Sequence, residues 1–193
     1  EADSTNAENP GFSISEKLVQ ENIDVFVREA TGRLIISSFA SQIERMLEMM
    51  KSAEKYGKKV VVDGRSMKTN VEVAKMAGLL TVKETTLISV EEMANFPENK
   101  LLVLVTGAMG QEFSALMRIA NKTHKYIRLT PRDAVLLSSS VIPGNERAVQ
   151  KLKDNVSRQG AHIIHYRTSD VHSSGHANSE ELAWIHQKIN PKF

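Results

Sequence analysis

Leu101-Leu102-Val103-Leu104-Val105-Thr106-Gly107-Ala108-Met109-Gly110-Gln111-Glu112 runs from an apolar stretch directly into a glycine-bearing polar loop. Its apolar residues are continuous rather than alternating, which predicts a strand covered on both faces, as in a parallel sheet. Shorter runs of the same kind lie on either side. Leu34-Ile35-Ile36, Val60-Val61-Val62, Ala134-Val135-Leu136-Leu137 and His162-Ile163-Ile164-His165 read as strands, with a shorter candidate at Thr86-Leu87-Ile88.

Helix-period segments separate these runs. Ser15–Ala30 closes at Gly32 and carries Leu18, Ile23, Phe26 and Val27 on a loose apolar face. Ser41–Tyr56 carries Ile43, Met46, Leu47, Met50 and Ala53 and stops at Gly57. Further helices are expected over Asn70–Ala77, Glu112–Ala120, Glu146–Gln159 and Ser179–Ile189, the last ending before Pro191. Strand and helix alternate without an internal repeat or a long linker. The fold expected is therefore α/β: a single three-layer domain with a mostly parallel sheet and helices on both faces.

Composition agrees with this and excludes other classes. The 193 residues are 41% hydrophobic and 25% charged, enough for a real core and against wholesale disorder. With no cysteine, disulfides and cysteine-based zinc sites are excluded. No apolar run is long enough to span a bilayer, so no membrane partner is expected, and a cytoplasmic location is. Glu1-Ala2-Asp3-Ser4 shows neither a basic nor an apolar leader region, and with no initiator Met the chain reads as a piece of a longer protein, a processed mature chain being the rival reading. A formal net charge of +2 is too small to mark a nucleic-acid binder globally, so any such surface is local.

In open α/β sheets, ligands lie beyond the carboxyl ends of the strands. Asp63-Gly64-Arg65-Ser66, Thr106 to Glu112, Ser138-Ser139-Ser140-Val141-Ile142-Pro143-Gly144-Asn145-Glu146 and Asp170 to Ala177 all follow strand candidates and precede helices. Each offers backbone N–H groups to an anion, although ordinary turns use the same residues. Asp170-Val171-His172-Ser173-Ser174-Gly175-His176-Ala177 is the densest donor set. A histidine can protonate a leaving group, and serine hydroxyls with a glycine N–H can hold phosphate oxygens. A metal pair through His172 and His176 is the weaker alternative, because no further ligand stands at suitable spacing. Helix capping by Asn178 or Ala177 is compatible with either.

Together these loops resemble the β-CASP domain of ribonuclease J enzymes, the β-CASP metallo-β-lactamase-fold ribonucleases. D-S-T-N-A-E-N-P-G at Asp3 to Gly11 is similar to the segment carrying that family's motif A. S-S-F-A-S at Ser37 to Ser41, D-G-R-S-M at Asp63 to Met67, V-T-G-A-M-G-Q-E at Val105 to Glu112 and S-S-S-V-I-P-G-N-E at Ser138 to Glu146 follow in the family's order. D-V-H-S-S-G-H-A resembles motif B. The resemblance covers nearly the whole chain. Ser173, where many relatives carry an apolar residue, and Gln111 depart from it without removing a needed group.

The family's H-x-H-x-D-H metal motif is absent from this chain, and its motif C is expected beyond Asn190-Pro191-Lys192-Phe193. The resemblance implies that residues 1–14 enter from a metallo-β-lactamase domain and that residues 15–193 form the β-CASP domain. It implies an RNA substrate, with a 5′-monophosphate favouring 5′-to-3′ exonucleolytic action beside endonucleolytic cleavage. Two zinc ions would belong to the full-length enzyme and none to this chain. His176 becomes the motif B histidine at the scissile phosphate, and Asp3 the carboxylate that orients it. Ser174 and Gly175, with Ser138, Ser139 and Ser140, become the 5′-phosphate pocket. A homodimer or an RNA-degradation complex is a further implied partner.

The residues themselves leave plainer roles open. Asp3 can cap a turn through Ser4 and Thr5, and Ser138 to Ser140 can be a strand end. Arg65, beside Gly64 and Ser66, is the cation best placed to grip phosphate. The basic stretch from Lys122 to Arg132 reads as a solvated face before an RNA track. His162, His165 and His186 read as surface or satisfied core histidines. Met46, Met49 and Met50 read as core, and Trp184, spaced with Leu182 and Ile185, as helix packing rather than base stacking. A non-catalytic RNA-binding or assembly module is the alternative function. A Rossmann-type enzyme is disfavoured, because no G-x-G-x-x-G follows the first strand.

Overall fold

In the computed structural model, which describes residues 3–192, the strands form one six-stranded sheet in which every pairing is parallel. Glu1, Ala2 and Phe193, the outermost positions of the two expected segments, lie outside the described residues. The elements are α1 (Glu16–Glu29), β1 (Leu34–Ser38), α2 (Ile43–Lys55), β2 (Lys59–Asp63), α3 (Arg65–Met76), β3 (Leu87–Ile88), β4 (Leu101–Val105), α4 (Ala115–Ala120), β5 (Ala134–Ser138), α5 (Glu146–Ser157), β6 (His162–His165), α6 (Tyr166–Ser169) and α7 (Ser179–Ile189). Short 3-10 turns join β3 and β4 to the chain. The strand order is β3-β2-β4-β1-β5-β6.

The unbroken apolar strands make two cores at once, because successive side chains point to opposite faces. From β4, Leu102 and Leu104 join Val19, Ile23, Met46, Met50, Met67 and Val71 on the face covered by α1, α2 and α3. Leu101, Val103 and Val105 join Leu116, Ile119, Leu152 and Val156 on the face covered by α4 and α5. The three-layer α/β domain is thus present as expected, and Met46, Met49 and Met50 are core.

Most departures lie at element boundaries. α3 begins at Arg65 rather than Asn70, so Arg65 and Ser66 belong to its first turn and the loop after β2 shrinks to Gly64. Gly64 has φ 116, and a Cβ there would meet Thr106 Oγ1 at 2.3 Å, so glycine is required by both conformation and space. α4 begins at Ala115, because Ser114 Oγ accepts the Met117 N–H and caps it. A short α6, not foreseen, follows β6 directly, and Asp170 (φ 44) turns the chain out of it into the 171–178 loop.

All strands end on the same edge. β1 feeds α2 on one face, whereas its neighbours β4 and β5 feed α4 and α5 on the other. The chain therefore parts beside the end of β1, the kind of crevice in which open α/β sheets bind ligands.

Candidate functional site

Residues 3–14 run along the 173–181 segment. Asn6 and Asn178 form a parallel bridge, and the Ser179 N–H donates to Asn9 O at 3.0 Å. α7 starts with a capping box: Asn178 caps its first turn while Glu181 Oε2 accepts the Asn178 N–H at 2.8 Å. Glu181 also accepts from Ser13 N at 3.1 Å and Ser13 Oγ at 2.8 Å, so one carboxylate fixes both the helix start and the N-terminal strap.

This strap carries Asp3 to His176. Nδ1 of His176 lies 3.0 Å from each Asp3 carboxylate oxygen, and Thr5 N–H also donates to Asp3 Oδ1 at 3.0 Å. The His176 hydrogen bond, with Thr5 behind it, lowers the Asp3 pKa to about 2, so the carboxylate is ionised throughout the neutral range. An anion there favours a proton on Nδ1 and leaves Nε2 as the working nitrogen. Both side chains are about half exposed.

Ser174 stands beside the pair. Its Oγ accepts Asn6 Nδ2 at 2.9 Å and the His176 N–H at 3.1 Å. The hydroxyl proton has no acceptor among the described residues, so Ser174 can donate to an anion. Gly175 is exposed, and a Cβ added there would meet nothing within 4 Å. Ser173 turns the other way, donating to Ile14 O at 2.7 Å.

The serines after β5 divide into two kinds. Ser138 is fully buried, donates to Val171 O at 2.7 Å and accepts from Arg45 Nη1 at 3.1 Å. Its hydroxyl is committed, so direct phosphate contact gives way to holding two loops together. Ser139 is also buried, whereas Ser140 is half-buried at the loop surface. Arg65 is exposed at the end of β2. Three strand spacings, roughly 14 Å, separate β2 from β5, so Arg65 is not brought to the serine and histidine cluster.

His172 does not pair with His176. It is 8% exposed, packed edge-on between Phe39 and Tyr166, and its Nδ1 meets Arg45 Nη1 at 3.0 Å. Burial, and then the Arg45 charge, depress its pKa to about 4, leaving the ring neutral. Nδ1 facing a cation does not suit a metal ligand. Among the described residues, no cluster of three or more His, Asp or Glu side chains converges. His165 is half-buried, and its Nδ1 is buried without a partner, so it is not the satisfied histidine expected.

A second pair escaped sequence reasoning. Asp63 Oδ2 lies 2.8 Å from Nε2 of the buried His124, whose Nδ1 accepts the Tyr126 and Ile127 N–H groups at 3.2 and 3.1 Å. The tautomer is thereby fixed with the proton on Nε2, donated to Asp63. That bond outweighs burial and holds the Asp63 pKa at about 2. No sequence spacing links positions 61 apart. The basic side chains of the stretch from Lys122 to Arg132 are exposed, as a solvated face requires, while His124, Ile127 and Leu129 beneath them are buried and anchor the loop, and Arg128 donates to the carbonyls of His124 and Ile127. Trp184 is also corrected: α7 buries none of its residues, and Trp184 is 53% exposed with Lys188 Nζ 5.9 Å from its ring.

Comparison with known proteins extends this geometry. The family model described as "Ribonuclease J, beta-CASP domain" matches residues 31–156. Ribonuclease J of Thermus thermophilus is 41% identical over 192 residues, covering 100% of this chain and 33% of the relative. Ribonuclease J 1 of Streptococcus pyogenes is 38% identical over 192 residues, covering 100% and 34%. Ribonuclease J of Mycoplasma genitalium is 37% identical over 195 residues, with the same coverage. The chain therefore spans about a third of the length of these curated relatives. Asp3 and His176 lie outside the span of the family model but inside the aligned length of the relatives.

Proposed function

This chain belongs to the ribonuclease J β-CASP domain family, and on that footing we propose that it is the RNA-binding, substrate-clamping part of a zinc-dependent ribonuclease acting 5′-to-3′ and endonucleolytically in RNA processing and decay. The observation that carries the reading is the meeting of Asp3 with His176 beside the uncommitted hydroxyl of Ser174. Ionised Asp3 holds the ring by Nδ1 and leaves Nε2 without a protein partner among the described residues; as the imidazolium, the ring can give its Nε2 proton to a leaving oxygen and remain the Nδ1–H imidazole. Ser174, Gly175 and Ser140 supply donors for a terminal 5′-monophosphate.

The described residues do not fit a two-zinc centre: His172 is turned against a cation and His176 is held by Asp3 alone. In this reading the zinc ions sit in a metallo-β-lactamase domain outside these residues. Bound there, such ions would supply Lewis-acid activation of water. No helix in the described residues is long and apolar enough to cross a membrane.

The chain alone should therefore bind RNA without cutting it. Incubation with RNA and added zinc or manganese is expected to give no cleavage, whereas a longer parent protein carrying the metal motif should cleave. Cleavage by the chain alone that survives His176→Ala would overturn the reading.

A further inference from the structure

Arg45, in the first turn of α2, is 3% exposed although it carries a full charge. Its Nε and Nη2 donate to the two Glu16 carboxylate oxygens at 2.6 and 2.5 Å. Its Nη1 faces Gln42 Oε1 at 2.8 Å, Ser138 Oγ at 3.1 Å, Ser138 O at 3.3 Å and His172 Nδ1 at 3.0 Å. A well-packed apolar residue at such a position costs less than a buried ion pair. What the guanidinium adds is direction: a rigid fork that meets several acceptors in fixed geometry.

These contacts join four separate segments of the chain at one side chain. Glu16 belongs to α1, Ser138 ends β5, and His172 opens the loop that carries Ser174 and Gly175. Ser138 Oγ in turn donates to Val171 O at 2.7 Å, beside His172. We infer that Arg45 is a positioning residue for the anion pocket: one guanidinium holds His172 as the Nε2–H imidazole and ties the end of β5 to the start of the 170–177 loop, so that both sides of the pocket keep one spacing. The inference rests on the proposed reading of that pocket as the holder of an RNA 5′-phosphate.

The chemistry is one-directional. An arginine only donates, so the nitrogen it faces carries no proton. The ring is then fixed in tautomer and plane, with Phe39 and Tyr166 against its edges. Two positions later the chain presents the Ser174 hydroxyl, on a loop whose start that anchor fixes while Asn6 and the His176 N–H orient the hydroxyl itself.

Nitrogen-edited NMR of the histidine side chains in this chain reads the proton position directly. His172 is expected to show an unprotonated Nδ1 and a protonated Nε2 at pH 7, and to keep that signature at pH 5.5, where a free imidazole is mostly protonated. A proton on Nδ1 at pH 7 would overturn the proposal. Arg45→Gln should release the tautomer and lower the preference for 5′-monophosphorylated over 5′-hydroxyl RNA by about tenfold, as loss of outer-shell partners does elsewhere. Because a buried substitution can unfold the chain, a second pair of variants lies at His172. His172→Asn places an amide oxygen where Nδ1 stands and should keep the phosphate preference, whereas His172→Leu should lose it. Equal preference in those two variants would overturn the proposal. Lack of any preference in the wild-type chain would sink the pocket reading and the affinity effect with it, and the His172 proton position would then decide the Arg45 contact alone.

Discussion

Asp3 and His176, 173 positions apart, are joined by contacts of 3.0 Å from Nδ1 to both carboxylate oxygens. The pair exists because residues 3–14 run beside the loop after α6 and bridge to it at Asn6 and Asn178. In a full-length ribonuclease, His176→Ala is expected to lower kcat by roughly 10² to 10⁴, the range for loss of a general acid. Asp3→Asn keeps the shape but removes the anion, and should lower kcat by at least about tenfold. Both side chains are solvent-exposed, so neither change should move the denaturation midpoint. Single-turnover cleavage beside thermal melts checks this; an Asp3→Asn enzyme with unchanged turnover would remove the orienting role.

His172 sets a pH dependence of stability. Its folded pKa of about 4 lies below the unfolded value of 6.5. Between those limits the unfolded chain binds the proton and the folded chain does not, so stability is full above about 6.5 and falls as pH drops towards 4. The loss at full burial is roughly 3 kcal/mol. His165 is depressed in the same direction by burial, Lys153 and Arg167, so the contribution of His172 is read as a difference. Urea denaturation at pH 7 and pH 4.5 should show a smaller drop for His172→Asn than for the wild-type chain. Parallel drops in both proteins would contradict it.

The fold was legible because parallel strands buried on both faces leave unbroken apolar runs, as in Leu101 to Val105. The polar loops were legible as loops because glycine and serine punctuate them. What sequence did not reveal is where buried polar groups find partners. Arg45 looks like one charge on an amphipathic helix until Ser138 and His172 close over it. His124 sits in a basic run that reads as surface, yet it is 4% exposed and bound to Asp63. Such contacts join distant elements through tertiary packing, to which neither local period nor turn chemistry is sensitive. The same limit made Ser138 look like a ligand donor, because burial at a strand end leaves no mark on composition.

His124→Ala tests the second pair. It would leave Asp63 charged and buried, and strand the Tyr126 and Ile127 N–H groups that Nδ1 accepts. The expected loss is about 3 kcal/mol, within the range for removing one partner of a buried polar network. Lys68 at 3.5 Å and Arg118 at 3.6 Å from Asp63 offset part of the charge. Urea denaturation near pH 7 measures it, and a change below about 0.5 kcal/mol would show that the pair adds little.

The central claim is that the loop after α6 and the end of β5 form a pocket for a terminal RNA phosphate. Its most direct test is a titration of this chain with two RNAs of one sequence, carrying a 5′-monophosphate or a 5′-hydroxyl. The account predicts tighter binding of the phosphate by about tenfold or more, consistent with charge-assisted hydrogen bonds. It also predicts that Ser174→Ala sharply reduces that preference. Equal affinities for the two RNAs, falling together as salt rises, would mean a generic basic surface and would contradict the account.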